Sequence, residues 1–480
     1  MWSSNRKQIQ EDRKCADIRP FSSIAYSTPS PPRGAYLPKK MDQALSSEIS
    51  AAHEDNQVNE HFFNRLTNLS ETHDVKASDD IYAVNGMKLV AKGTRISSRL
   101  QERLYEHKLF QPLEKNVEVE DGIEGKKLAE EATRLLDSSA PLRALGGWET
   151  SRQSPVEILG GLQLVPSLKT LLSVYVSKSP DAITHITQVA LIAMGLRHKM
   201  NADQLTFASF AYASLFHDIG EMYIDPHILS RGSQSISPAE WRQLSAHPII
   251  GQTVLKKLNG LSMEICNMIA EHHERLNGFG YPLFKQNIDR NSQILGVAEM
   301  VSGLIHKHQY PLRHAELALK IVIGEYSTAV IDQIAKARAQ ADQDSQPVQP
   351  LDPGTDLDQK MEALFAQLAR ILKAQDEIDR HMNSLSMPAQ KLLRETYLRI
   401  GSIQRAFSNT GLDCIADSTG LSVPGSKDEM LVRFEAKLAV DEILWRLREL
   451  GRDMSLRSLK FSEIEIEQLQ LLHEALVGKA

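Results

Sequence analysis

Residues 205–220 read LTFASFAYASLFHDIG, and this stretch decides how the chain folds. Leu205, Ala208, Tyr212 and Leu215 recur at helical spacing, which predicts a helix with one apolar stripe. His217 and Asp218 are adjacent and cannot share a face within it. In the last turn, ahead of the helix-breaking Gly220, both can point into one cavity. Helices are expected on either side. Ser179-Pro180 opens one whose stripe runs Ile186, Val189, Ala193 and Leu196. Ser237-Pro238-Ala239-Glu240 is a capping box leading into Trp241 and Leu244. Ile265, Met268 and Ile269 mark a fourth helix, and Ile294, Val297, Val301 and Leu304 a fifth. The spacing predicts an all-helical domain over residues 150–335.

The chain has 480 residues, room for about three domains at roughly 150 residues each. Residues 1–75 carry Ser, Pro and Gly clusters without a sustained period and read as a disordered tail. A small α+β unit is expected over 76–145. Asp80 to Val84 and Met87 to Ala91 read as strands around an Asn85-Gly86 hairpin turn, followed by a short helix through Leu100, Leu104 and Leu109. Residues 336–356 read as a polar linker. Beyond it, 357–480 is a helical C-terminal region, with Leu357, Met361, Leu364, Leu368 and Leu372 on one face and Leu431, Phe434 and Leu438 on another. Oligomerisation through these helices is one role open to them.

The net charge is −6, so no overall basic field draws nucleic acid. The first forty residues are basic but lack an apolar run, which argues against a secretory signal. No segment reaches the ~20 apolar residues of a membrane-spanning helix. Cys15, Cys266 and Cys414 are odd in number and far apart, which suits a reducing cytoplasm.

The helical domain gathers imidazoles and carboxylates at its predicted helix ends: His185, His217-Asp218, His247, His272-His273-Glu274 and Glu299. Their spacing of about 25 to 32 residues is one helix plus a loop, so a bundle can bring them to one end. Each alone would pass for a packed or solvated side chain; together they suit a borderline divalent ion without thiolate ligands. Two such ions activate water and stabilise charge on phosphoryl oxygens. Asp181 fits a helix start better than a ligand, although it precedes His185 by four residues. The loop 275–282, RLNGFGYP, follows the histidine pair directly. Its glycines let backbone approach a ligand, and Tyr281 can stack on a base.

His217-Asp218-Ile219-Gly220, then His247-Pro248 with Gly251, then His272-His273-Glu274-Arg275 and Gly278-Phe279-Gly280-Tyr281-Pro282 resemble the HD-GYP family, a subgroup of the HD metallohydrolases that degrades cyclic di-GMP. The resemblance covers roughly residues 150–335, and the unit before it is similar to the small domain that often precedes this one. It implies a mainly α fold: an all-helical HD-type metallohydrolase bundle, preceded by a small β-hairpin-containing unit and followed by a helical C-terminal region. It implies metal ligands His185, His217, Asp218, His247, His272, His273 and Glu299, holding two or three divalent ions, iron or manganese. Asp218 and Glu221 take the catalytic positions, and Arg275, Gly280, Tyr281 and Pro282 the substrate side.

The reaction implied is hydrolysis of cyclic di-GMP to linear pGpG, and in some members GMP, in bacterial second-messenger signalling. Four positions depart from the family. Glu221 replaces a lysine beside the phosphate site, Asn277 an Asp, Glu299 an Asp, and Ser302 a second acidic residue. These departures motivate an alternative: a module that binds nucleotide, or a partner such as a diguanylate cyclase, without hydrolysis. A hydrolase of another phosphate ester is the third reading.

Overall fold

Ser237 opens its helix as its sequence requires. Its side chain accepts from the Glu240 N–H, Glu240 accepts from the Ser237 N–H, and Pro238 occupies the first turn of Pro238–Ser245. Thr206 caps Phe207–Phe216 by accepting from the Ser209 N–H, and Ser262 caps Met263–Glu271 by accepting from the Ile265 N–H. The computed structural model describes residues 56–148, 151–201, 205–231, 236–305, 310–344, 355–409 and 427–478.

Helix Ala182–Lys199 is the axis of the predicted all-helical domain. Every residue from Ile186 to Leu196 is buried, so it is covered on all sides rather than along one stripe. Phe207–Phe216 and Arg290–Ile305 pack directly on it. Met263–Glu271 packs on both Phe207–Phe216 and His247–Leu258. Pro180 lies in the turn before this axis, and Asp181, exposed at the N-cap position, begins it without a side-chain cap. No helix among the described residues is long and apolar enough to cross a membrane. Cys266 is buried and free; Cys15 and Cys414 lie outside the described residues.

The small unit holds the expected hairpin, with strands Ile81–Tyr82 and Lys88–Val90 antiparallel about Gly86 at φ 84°. Two further strands, Val75–Ala77 and Val117–Val119, pair antiparallel with Val75 opposite Val119. The short helix ends earlier than its stripe suggests. It spans Gln101–Tyr105, and Leu109 forms a bridge with Ala83 instead. The tail reading also reaches too far, because Glu60–Leu69 is a helix capped by Asn59. Phe62, Phe63, Leu66 and Leu69 are its buried face, a one-helix stripe that the polar stretch around it conceals. Phe62 stacks on Tyr223 at 5.2 Å, and the Asn59 amide donates to the Tyr223 carbonyl. The rest of the presumed tail, 1–55, lies outside the described residues.

The linker reading is likewise too long at its start. Helix Thr328–Asp344 continues through it, burying Ala337 and Ala341. The C-terminal region is a bundle of Thr355–Asp379, Met387–Asn409, Lys427–Ser458 and Glu463–Val477. Leu364, Ile371, Leu393, Val440, Leu447 and Leu472 are fully enclosed in its own core. Leu357, Met361, Leu364 and Leu368 are buried there, but Ile371 takes the place expected of Leu372.

Leu66 is fully enclosed, so Leu66→Ala is expected to destabilise the protein by about 2–5 kcal/mol. The urea midpoint of the transition that unfolds the small unit reads this directly. An unchanged midpoint would place the helix outside the folded core.

Candidate metal centre

The Ser214, Leu244 and Ile269 carbonyls fall in the last turns of three helices, where helical N–H donors run out. A histidine three residues on caps each one. His217 Nδ1 donates to Ser214 at 2.7 Å, His247 Nδ1 to Leu244 at 2.8 Å and His272 Nδ1 to Ile269 at 2.6 Å. A carbonyl can only accept, so each Nδ1 carries a proton and each Nε2 points the other way. A hydrogen bond of this kind on the far ring nitrogen orients a metal-ligating imidazole.

The three Nε2 atoms converge on Asp218, just after the end of Phe207–Phe216. Its Oδ2 is 3.1 Å from His217 Nε2 and 3.7 Å from His185 Nε2. Its Oδ1 is 3.3 Å from His247 Nε2 and 3.7 Å from His272 Nε2. Glu299, on Arg290–Ile305, reaches both members of the histidine pair, with one oxygen 3.5 Å from each Nε2. Two donor groups result, each with all its ligand atoms within 4.8 Å of one another: His185, His217 and Asp218, and Asp218, His247, His272 and His273. Asp218 belongs to both. Gly220 permits the approach, because a Cβ there would stand 2.0 Å from the His247 carbonyl oxygen.

This donor set fits a divalent cation. His247 Nε2 and His272 Nε2 face each other at 3.3 Å, and His217 Nε2 is fully buried against Asp218. Burial drives His272 down to about 4, and burial with the neighbouring His272 holds His273 well below the usual range. Both therefore offer neutral nitrogens at neutral pH, as ligation requires. Burial opposes charge on His217 too, but adjacent Asp218 outweighs it and raises that imidazole to about 9. Burial also works to raise the Asp218 carboxyl, yet the charge of His217 and the surrounding imidazole hydrogen bonds hold it well below the usual carboxylate range. Burial and the charge of Asp218 bring Glu299 up to about 7.

The loop residues divide. Tyr281 stacks on His273 at 4.4 Å, beside the centre. Gly280 lies against His273, where a Cβ would sit 2.4 Å from its carbonyl oxygen, and Pro282 follows in a cis peptide. Arg275 instead turns into the backbone, donating to the Glu274 carbonyl at 3.0 Å and stacking on Tyr326. Glu274 is no ligand in either donor group. It accepts from the Leu283 and Lys285 N–H groups and so closes the loop.

Sequence reasoning passed over Tyr175 and Lys178. The Tyr175 hydroxyl donates to Asp218 Oδ2 at 3.4 Å, and burial beside Asp218 keeps it protonated, well above its ordinary pKa. Lys178 Nζ lies 2.7 Å from Glu221 Oε2 and 3.7 Å from the Tyr175 ring centroid. The carboxylate expected to repel phosphate therefore has a cation on it. Glu221 belongs to neither donor group. Ser302 Oγ is 3.4 Å from His185 Nδ1, so a hydroxyl contacts that imidazole.

Residues 170–333 match the HD domain family. Cyclic di-GMP phosphodiesterase PdeB of Borreliella burgdorferi is 29% identical over 130 residues, which cover 27% of this chain and 34% of that protein. The 3′3′-cGAMP-specific phosphodiesterase 3 of Vibrio cholerae is 27% identical over 136 residues, 28% of this chain and 29% of that one. Cyclic di-GMP phosphodiesterase PA4108 of Pseudomonas aeruginosa is 26% identical over 144 residues, 29% and 34% of the two chains. The chain spans about a third of the length of these curated relatives.

Gly220→Ala is expected to force the Asp218 turn away from His247 and to lose most of the bound divalent metal while helicity is kept. Elemental analysis alongside circular dichroism tests this, and full metal content in the variant would contradict it.

Proposed function

We propose that this protein is a metal-dependent phosphodiesterase that hydrolyses cyclic di-GMP to linear pGpG, with residues 150–335 as its catalytic domain. The single observation that carries this is Asp218, which turns one oxygen to His185 and His217 and the other to His247 and His272. A carboxylate so placed is suited to bridge two ions. His185, His217 and Asp218 would hold one; Asp218, His247, His272 and His273, with Glu299 beside them, the other. Nitrogen and oxygen donors without thiolate suit iron or manganese. When bound, such ions supply Lewis acidity toward the phosphoryl oxygens and make water more acidic.

The remaining work belongs to the chain. The Tyr175 hydroxyl fixes the Asp218 carboxylate by donating to Oδ2. Lys178 offsets Glu221, so an anionic substrate meets no net repulsion from that position. Tyr281, packed on His273, offers a ring edge or face to a guanine. A cytoplasmic place in second-messenger signalling follows from this substrate.

Names among the relatives keep 3′3′-cGAMP in view as a second substrate. Manganese- or iron-loaded protein incubated with cyclic di-GMP, 3′3′-cGAMP and cyclic di-AMP should yield linear dinucleotide from the first at the highest kcat/KM. Asp218→Asn should abolish turnover, and Tyr175→Phe should lower activity about 10–100-fold through loss of the hydroxyl that orients Asp218. Binding of cyclic di-GMP without turnover under every metal would favour the non-hydrolytic module, partnered for instance by a diguanylate cyclase.

A further inference from the structure

Tyr223 ends the 3₁₀ turn Ile219–Tyr223 that Asp218 begins, and Asn59, Phe62 and Glu114 of the small unit close on it. Phe62 stacks on its ring with the two planes 6° apart. The Asn59 amide donates to its carbonyl at 3.3 Å, and its hydroxyl donates to Glu114 Oε1 at 2.7 Å. Burial and the charge of Glu114 hold that hydroxyl well above its ordinary pKa, so it stays a donor. Tyr223 is 6% exposed and Glu114 9%, so the bond is made out of bulk water. The other side of Tyr223 meets helix His247–Leu258. Phe62, Glu114, Tyr223, Val254 and Leu258 line one cavity of about 40 Å³, and Lys257 donates to Asn56 Oδ1 at 3.4 Å. Asn56 is tied to the small unit in turn, its carbonyl accepting from the Leu109 N–H. The small unit thus grips both segments that carry facing ligands, the turn that starts at Asp218 and the helix that starts at His247.

A short 3₁₀ turn has poorer hydrogen-bond geometry than an α-helix, so its position is set largely by what packs on it. Here the turn's own ladder is slight: the Glu221 N–H donates to the Asp218 carbonyl and the Ile224 N–H to the Glu221 carbonyl. Asp218 has to present its two oxygens to two groups of imidazoles at once. A turn free to shift would meet that demand only part of the time, and apparent affinity falls with the competent fraction. We infer that Tyr223 is a positioning residue for the candidate metal centre. Through it the small unit holds the Asp218 turn against the His247 helix, and divalent-metal affinity depends on that grip. This rests on the metal-binding part of the reading above and not on the identity of the substrate. The coupling is reciprocal, so a metal bound at Asp218 must tighten the small unit's hold on Tyr223 in return.

The test titrates Mn²⁺ calorimetrically into metal-free, full-length protein. Tyr223→Phe keeps the ring stack and removes only the bond to Glu114. Its Kd for Mn²⁺ should rise about ten-fold, as when roughly one molecule in ten keeps the competent turn. Glu114→Gln still offers a carbonyl to the phenol and should stay within about two-fold of the wild type. Leu104→Ala, fully enclosed elsewhere in the small unit, lowers stability without removing the bond and should leave Kd unchanged. An unchanged Kd in Tyr223→Phe overturns the assignment. So does an equal loss in Glu114→Gln, and so does an equal loss in Leu104→Ala, which would mark a purely structural effect. If Tyr223→Phe does not fold, hydrogen exchange on the wild type decides: Mn²⁺ should slow exchange of the Glu60–Leu69 amides, and unchanged protection overturns the coupling. Wild-type protein that binds no divalent metal overturns the metal-centre reading and this assignment together. The expected Mn²⁺ pattern without turnover of cyclic di-GMP supports this assignment and overturns the substrate reading alone.

Discussion

Asp218 is the point on which the candidate metal centre turns, because its two oxygens address two different sets of imidazoles. Moving it by one residue would leave one set without its shared carboxylate. Its position is held from three directions. Gly220, two residues on, lets the turn lie against the backbone of His247. The Tyr175 hydroxyl reaches it from Pro166–Val176. From outside, Phe62 and Asn59 of the small unit rest on Tyr223, at the end of the 3₁₀ turn Ile219–Tyr223 that Asp218 begins. Three parts of the chain thus converge on one short turn.

The domain spends its helix ends on chemistry. A helix terminus normally needs solvent or a polar side chain to satisfy its free carbonyls. Here the side chains that do so are His217, His247 and His272, and the same bond that caps the helix fixes the tautomer of the ring. Stability and ligand geometry are one interaction, made three times. The loop after His273 is closed similarly from within, by Glu274 accepting from two backbone N–H groups.

Much of this was legible in the sequence, and the reasons are local. His217-Asp218 before Gly220 and the double histidine at 272 and 273 stand at helix ends that periodicity and capping residues mark plainly. Their one-helix spacing makes convergence a consequence of bundle packing. Tyr175 and Lys178 gave no such signal. A tyrosine on an apolar helix reads as core until its hydroxyl is seen on Asp218, and Lys178 pairs with a residue 43 positions away. The strands Val75–Ala77 and Val117–Val119 are three residues each, too short to display alternation, and their pairing is non-local. Arg275 illustrates the opposite error. Its place in the motif suggested a ligand-facing side chain, but the packing of Tyr326 against the loop draws it backward.

The doubled duty of the capping histidines limits how these helices can vary. An α-helix turns by about 100° per residue. Inserting or deleting a single residue within Phe207–Phe216 or Met263–Glu271 would swing the terminal imidazole to another side of the rod, stranding a carbonyl and withdrawing a donor atom in the same stroke. Substitutions along the barrel of such a helix are tolerable so long as it stays apolar. Its length is not negotiable, and a chain of this kind should accommodate insertions in the loops between helices while keeping the residue count of each ligand-bearing helix unchanged.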